Sequence, residues 1–265
     1  MIIDLKTKKS ASWETEHSLP LNLASLRMLL SNKIPLIQIK NFASAQECEQ
    51  LASEANAARF NAYQNVIPKI ERIGITVFEY NNIGKQFYFE AVENARKEQA
   101  LITSVTFNPL QRLMDMIQSR AGLIARTAFE PSYGSYHAGL IRKIENGTQL
   151  HVDYAPTEQP GWEVSQITSQ LAWNLYLQTP GNGSGKTYVY DRQCQPQDQE
   201  YKLDSYGYSE EVIEDAVSTH FEPVVGDVFI FNTQNYHLVE PSQGHRMTFT
   251  SAMGLLPSQE VIFWS

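Results

Sequence analysis

Two imidazoles and one carboxylate in this chain have the types and spacing of a metal-ligand set. His151-Val152-Asp153 sets a histidine and an aspartate two residues apart in a run, 148–154, that reads as a β-strand. Alternate side chains of a strand share a face, so one short segment offers two ligands. By itself such a tripeptide is also what an ordinary surface pair would look like, and a third group is needed. His237, 86 residues further on, supplies it from a second strand-like run, 236–239, that follows a Gly226-Asp227 turn. Two histidines and one carboxylate form a facial triad of the kind that holds non-haem iron(II) and leaves the opposite positions open. Zinc in a hydrolase or manganese in a cupin could use the same donors, and spacing does not separate these metals.

Arg246-Met247-Thr248 begins nine residues after His237, on a run that returns past the same place. Alternation puts Arg246 and Thr248 on one face. A guanidinium pairs with a carboxylate through two parallel hydrogen bonds, and a nearby hydroxyl adds another, so the pair suits a dicarboxylate.

These groups require a scaffold that brings distant segments together. Ser44 with Glu47 three residues later is a capping box, and Cys48, Leu51, Ala52 and Ala55 recur at helical spacing behind it. A second helix is expected after Gly84, with Phe87, Ala91, Val92 and Ala95 on one face. A third starts at Asn108-Pro109 and carries Leu110, Leu113, Met114 and Ile117. From about residue 133 the texture changes to short aromatic and β-branched runs punctuated by turn residues, giving strands at 136–144, 148–154, 170–178, 187–190, 221–223, 228–232, 236–239 and 246–253. Helices followed by many antiparallel strands predict an α+β fold, a jelly roll or double-stranded β-helix with N-terminal helices packed outside. The expected organisation is a single domain, with 1–132 mainly helical support, 133–256 the β core, and 193–220 a polar insertion. That insertion carries a short helix near 209–216 and reads equally as a substrate-facing lid or a solvated surface excursion.

The ordered set His151-Val152-Asp153, the Gly226-Asp227 turn, His237-Leu238-Val239 and Arg246-Met247-Thr248 resembles the iron(II)/2-oxoglutarate-dependent oxygenase superfamily over roughly residues 136–254. The resemblance implies a double-stranded β-helix in which His151, Asp153 and His237 hold iron(II) while Arg246 and Thr248 hold the distal carboxylate of 2-oxoglutarate, with O2 as the second co-substrate. In such proteins the strand after the HxD motif touches the co-substrate. Here that strand is Leu171-Ala172-Trp173-Asn174-Leu175-Tyr176-Leu177, so Asn174 and Tyr176, on one face, are further candidate contacts. Ile144-Glu145-Asn146-Gly147 before the HxD and Val189-Tyr190-Asp191-Arg192 after it are similar to the small-molecule branch containing bacterial hydroxylases and cyanobacterial alkaloid halogenases. Those halogenases carry a small residue where Asp153 stands, leaving a place for chloride. The carboxylate here implies hydroxylation of an unactivated C–H bond of a small molecule, an amino acid or natural-product intermediate. A peptide or protein hydroxylase and a non-catalytic, cupin-like metal-binding protein are the alternatives.

The other candidates carry less. His17, His137 and His220 have no partner at ligand spacing, and His245 should face away from Arg246. Trp162, Tyr154 and Phe229 could line a pocket but are ordinary core residues in a β domain. The glycine-rich run at 181–186 lacks a phosphate-loop pattern. Cys48 and Cys194 are the only cysteines and have no metal-binding spacing. With 21 Lys+Arg against 29 Asp+Glu, a formal charge of −8 and no basic cluster after Arg246, nucleic acid is a poor partner. Residues 1–13 lack the apolar stretch of a signal peptide and no later run is long enough to span a bilayer, so a cytoplasmic location and no membrane partner are expected.

Overall fold

The structure is a computed structural model that describes residues 12–265; most of the opening stretch read above for a signal peptide lies outside the described residues. Asn22 and Ser25 exchange reciprocal hydrogen bonds that start helix α1 (Leu23–Leu30), and strand β1 (Leu36–Ile39) follows. Ser44 and Glu47 close the expected capping box on α2 (Ala45–Ala57), whose Cys48, Leu51, Ala52 and Ala55 are buried. After β2 (Asn61–Ala62) and β3 (Glu71–Ile73) comes α3 (Lys85–Thr103). Its inner face differs from the expected one: Tyr88, Val92, Ala95 and Ile102 are buried while Phe87 is exposed, because Phe87 lies five residues before Val92 and so falls off the stripe. Helix α4 (Pro109–Ala121) starts as expected, with Asn108 Oδ1 accepting from the Gln111 N–H and proline in the first turn.

The remaining strands are β4 (Ala125–Thr127), β5 (Phe129–Glu130), β6 (Gly134–Ser135), β7 (Leu140–Lys143), β8 (Ser169–Gln178), β9 (Thr187–Gln193), β10 (Ser218–Phe221), β11 (Val228–Asn232), β12 (Asn235–Val239), β13 (Met247–Leu255) and β14 (Val261–Trp264), with a single-turn helix α5 (Ala155–Glu158) before β8. The large sheet runs β1-β11-β8-β13-β7-β3-β2, antiparallel throughout. Past Thr250, β14 takes the edge of β13 that β7 leaves and itself pairs in parallel with β4. A second sheet, β10-β9-β12, lies over it, and the two together form a jelly roll. Alternation sorts the side chains of β8: Leu171, Trp173, Leu175 and Leu177 pack outward on α1, α2 and α4, while Ala172 and Tyr176 face the second sheet. Phe221 of β10 stacks on Phe229 of β11 at 4.4 Å and joins the two sheets.

The N-terminal half does more than support the sheet from outside, since β1, β2 and β3 extend it. Two of the expected strands are shorter. Of 136–144 only β7 is paired as a strand, and of 148–154 only His151 forms a ladder bridge. The Gly226-Asp227 turn is pinned by its surroundings. Gly226 adopts φ +84° with Ala43 O so close that a Cβ would sit 2.2 Å from it, and Asp227 accepts from Gln38 Nε2 and the Asn41 N–H, each at 2.8 Å. Among the described residues no helix is long and apolar enough to cross a membrane.

Glu47 also pairs with Arg112 of α4, at 2.7 Å, and this hydrogen-bonded guanidinium is the main cause that lowers its carboxyl from 4.5 to about 2. A depressed carboxylate contributes stability that is complete above its unfolded pKa and is lost as pH falls through the folded one. Glu47→Gln should therefore cost about 1–2 kcal/mol at neutral pH, after allowance for solvent screening. It should also flatten the stability profile between about pH 4.5 and 2. Urea melts of both proteins across that range check it; parallel profiles would show that the pair contributes nothing.

Candidate active site

His151 and His237 are brought together by backbone pairing. The His151 N–H donates to His237 O at 3.0 Å and the His237 N–H to His151 O at 2.9 Å, while the Asp153 N–H donates to Thr233 O at 2.9 Å. The HxD segment thus runs as a narrow extra strand against β12. Their rings lie 4.1 Å apart between centroids. Asp153 Oδ2 is 4.0 Å from His151 Nε2 and 3.7 Å from His237 Nε2, so the donor atoms of all three converge within 4.8 Å.

The outer nitrogens fix the tautomers. His151 Nδ1 lies 2.8 Å from Gln149 O and His237 Nδ1 2.9 Å from Asn235 O, so each Nδ1 carries the proton and donates to a carbonyl. Both Nε2 lone pairs are then free to ligate, the arrangement that orients metal-binding histidines. Burial, and next the nearby His151 ring, pushes the His237 pKa down to about 3, which keeps its imidazole neutral. Phe231 packs edge-on to His237 at 5.1 Å. Nitrogen and oxygen donors without thiolate fit iron(II), and Asp153, with 46% of its side chain exposed, faces open space.

Arg246 is almost wholly buried and reaches Thr187 of β9, two residues from Val189, the ladder partner of His237. Nη2 donates to Tyr176 Oη at 3.1 Å and to Thr187 Oγ1 at 3.3 Å, and Nε donates to Gly185 O at 3.2 Å. Among the described residues no carboxylate pairs with it. Next to it, Thr248 Oγ1 is buried with no hydrogen-bond partner. A buried cation without a counter-ion is costly, so this corner fits an anionic ligand such as the far carboxylate of 2-oxoglutarate. Tyr176 thus stands beside Arg246. Asn174 is half-buried on the same face of β8, opposite Thr250, and its side chain makes no hydrogen bond to a described residue. Thr187 and the Gly185 carbonyl were missed: β9 was legible as a strand, but only its pairing with β12 reveals that its start reaches Arg246.

A cavity of about 550 Å3 opens from His151 and Asp153 and reaches Arg142, Tyr63, Gln159 and Tyr206. Arg246 and Thr248 are not part of its lining. The insertion is therefore more than a surface excursion: Lys202, Asp204, Ser205 and Tyr206 line the cavity, and Tyr206 sits edge-on to His151 at 5.3 Å. Its expected helix is a single 3-10 turn, Glu210–Ile213. Phe229 and Trp162 are core residues away from the cavity lining. His245 pairs with Glu145 at 2.8 Å on the surface, and His220 packs against Tyr188. His137 is buried, with a pKa lowered to about 4 by burial.

The family model described as carrier-protein-independent halogenase WelO5 matches residues 19–265. Leucinostatins biosynthesis cluster protein S of Purpureocillium lilacinum is 35% identical over 216 residues, which are 76% of this chain and 88% of that protein. An L-gamma-glutamyl-L-propargylglycine hydroxylase of Streptantibioticus cattleyicolor is 29% identical over 181 residues, 67% of this chain and 66% of that one. Among solved structures, an N-substituted L-amino acid dioxygenase from Burkholderia ambifaria superposes with a TM-score of 0.65 at 13% identity, covering 92% of this chain and 91% of its own. That likeness bears out the jelly-roll fold.

Proposed function

The chain belongs to the carrier-protein-independent halogenase WelO5 family, and from that premise we propose that it is an iron(II)- and 2-oxoglutarate-dependent oxygenase that hydroxylates an unactivated C–H bond of a small molecule. The observation that carries this reading is Asp153, whose carboxylate stands 3.7 and 4.0 Å from the two imidazoles and completes a three-ligand set. The relatives support the same reading, since one of them is a hydroxylase of a small γ-glutamyl amino acid.

In this reading His151, Asp153 and His237 hold iron(II), and bound iron with 2-oxoglutarate supplies O2 activation, giving succinate, carbon dioxide and the oxidising power for C–H cleavage. The chain's own residues do the positioning. Arg246, steadied by Tyr176, Thr187 and the Gly185 carbonyl, holds the far carboxylate of 2-oxoglutarate, with Thr248 Oγ1 donating beside it. Gln149 and Asn235 carbonyls hold the two imidazoles in the ligating tautomer. Walls from the insertion and from Gln159 enclose the substrate and limit water.

Arg246→Leu should raise the 2-oxoglutarate requirement on the order of 10- to 100-fold, since it removes a buried charge-assisted contact worth about 1.5–3 kcal/mol. The substrate KM should change far less. An unchanged 2-oxoglutarate KM would place the anchor elsewhere. The reading as a whole is tested by screening small amino-acid derivatives for substrate-coupled succinate release with iron(II) and 2-oxoglutarate. Release that stops on chelation of iron and resumes on its return is expected; a substrate oxidised without 2-oxoglutarate would overturn it.

A further inference from the structure

The cavity holds more unsatisfied polar groups than any other part of the described chain. Of the buried side-chain atoms that lack a hydrogen-bond partner, Tyr63 Oη, Asn81 Oδ1, Arg142 Nε, Gln159 Oε1 and Ser205 Oγ all belong to residues that line it. Native interiors satisfy nearly all such groups, so a cluster of exceptions facing one space marks where a ligand supplies the partners.

Arg142 gives that ligand a charge. It lies on β7 directly across from Thr248 of β13 and from Arg72 of β3, with its guanidinium carbon 5.8 Å from the centre of the Tyr63 ring. Its side chain makes no hydrogen bond or ion pair with a described residue. Arg72, across the ladder, has its own counter-ion, since Glu79 accepts from both ends of its guanidinium and from the Thr76 hydroxyl, and Glu158 and Asp204, which also line the cavity, form no ion pair with Arg142. Asp153 is committed to the metal in the reading above. Arg142 is thus a second guanidinium without a counter-ion, and unlike Arg246 it lines the cavity that opens from His151 and Asp153.

The unsatisfied acceptors define a second feature. Asn81 Nδ2 donates to Glu158 O at 3.1 Å, which fixes Oδ1 as the free end, and Gln159 Oε1 is free next to it in sequence. These groups come from the turn before α3 and the end of α5, a different wall from β7. The Asn81 oxygen accepts from an N–H or O–H donor, and the Gln159 amide, whose side chain makes no hydrogen bond to a described residue, can do the same.

We propose that the substrate is a carboxylic acid that also carries an N–H group, an amino-acid or dipeptide-like acid, with its carboxylate held by Arg142 and the Tyr63 hydroxyl and its N–H met by Asn81 and Gln159. This inference rests on the oxygenase reading and adds the substrate class to it. A volume of about 550 Å3 accommodates such a molecule.

The test titrates the chain, loaded with iron(II) and 2-oxoglutarate under nitrogen, with N-acetyl and γ-glutamyl derivatives of leucine and norvaline, each as free acid and as primary amide, by calorimetry. At least one acid should bind on the order of 10-fold or more tightly than its amide. Arg142→Gln should erase that preference and Arg142→Lys keep part of it, because an ammonium retains the charge without the fork. The affinity for 2-oxoglutarate should stay within about threefold in both variants, well short of the loss expected when a charge-assisted contact is removed. Equal binding of acid and amide, or no acid binding at all, would overturn the inference while 2-oxoglutarate binding in the same samples upholds the oxygenase. Loss of 2-oxoglutarate affinity in the Arg142 variants would overturn it by assigning that residue to the co-substrate. Failure of the wild type to bind iron and 2-oxoglutarate would overturn the oxygenase reading itself. If Arg142→Gln does not fold, the wild-type preference and the Arg142→Lys protein decide the matter.

Discussion

His237→Ala is expected to leave a folded protein that retains iron(II) at least about 100-fold more weakly and has no measurable turnover, since changes to groups that merely support a ligand already cost 10–100-fold in metal affinity. The imidazole is almost fully buried, its Nδ1 is tied to Asn235 O, and its Nε2 is one of two nitrogen donors near Asp153. Fold is preserved because the bond from the His237 N–H to His151 O is made by backbone, and alanine keeps it. Loss of the contact with Phe231 should lower stability by about 1–3 kcal/mol, visible in a thermal melt and short of unfolding. Metal analysis after gel filtration and an assay at raised iron separate weak binding from unfolding. Full iron-dependent activity in this variant would remove His237 from the ligand set.

Asp153→Gly carries an effect of similar size and speaks to the reaction class. In the proposed site the Asp153 carboxylate would add negative charge to bound iron(II) and fill the third protein position, the place left for chloride in the halogenases this chain resembles. Removing it should abolish hydroxylation. The backbone should hold, because the Asp153 N–H to Thr233 O bond and the Thr233 Oγ1 to Asp153 O bond do not involve the carboxylate. A vacancy alone does not make a halogenase: chloride also needs donors around it and a substrate held away from the competing hydroxyl. The expected outcome in abundant chloride is loss of the hydroxylated product with at most traces of a chlorinated one. Hydroxylation at the wild-type rate in this variant would show that Asp153 is not a ligand.

The sequence revealed most where local rules act alone. The Ser44 and Asn108 helix starts follow from hydrogen bonds between neighbours in sequence, and the alternation of β8 follows from which face meets the helices. His151 and Asp153 could be read as one ligand segment although the ladder there is a single bridge, because extended backbone suffices to put alternate side chains on one side. What depends on contacts between distant segments stayed hidden. Thr187 reaches Arg246 only once β9 is placed against β12, and the role of Arg142 rests on an absence of partners that no motif announces. Tyr206 belongs to a polar insertion whose composition resembles any surface loop, and only its contact with the His151 ring reveals it as a wall of the site. The Phe87 face of α3 was misread because several apolar residues on a long helix permit two stripes, and the aromatic cluster around Tyr88, Tyr136 and Trp162 selects one.

With His151, Asp153 and His237 all present, this member of a halogenase family is proposed to oxygenate its substrate. Mass spectrometry of the wild-type product most directly tests it, with a coupled substrate turned over under isotopically labelled O2 in the presence and absence of abundant chloride. The account predicts one product in both, carrying a single oxygen atom from O2 and formed in step with succinate. A dominant product bearing chlorine from the unmodified protein would contradict the assignment of Asp153 and the reaction with it.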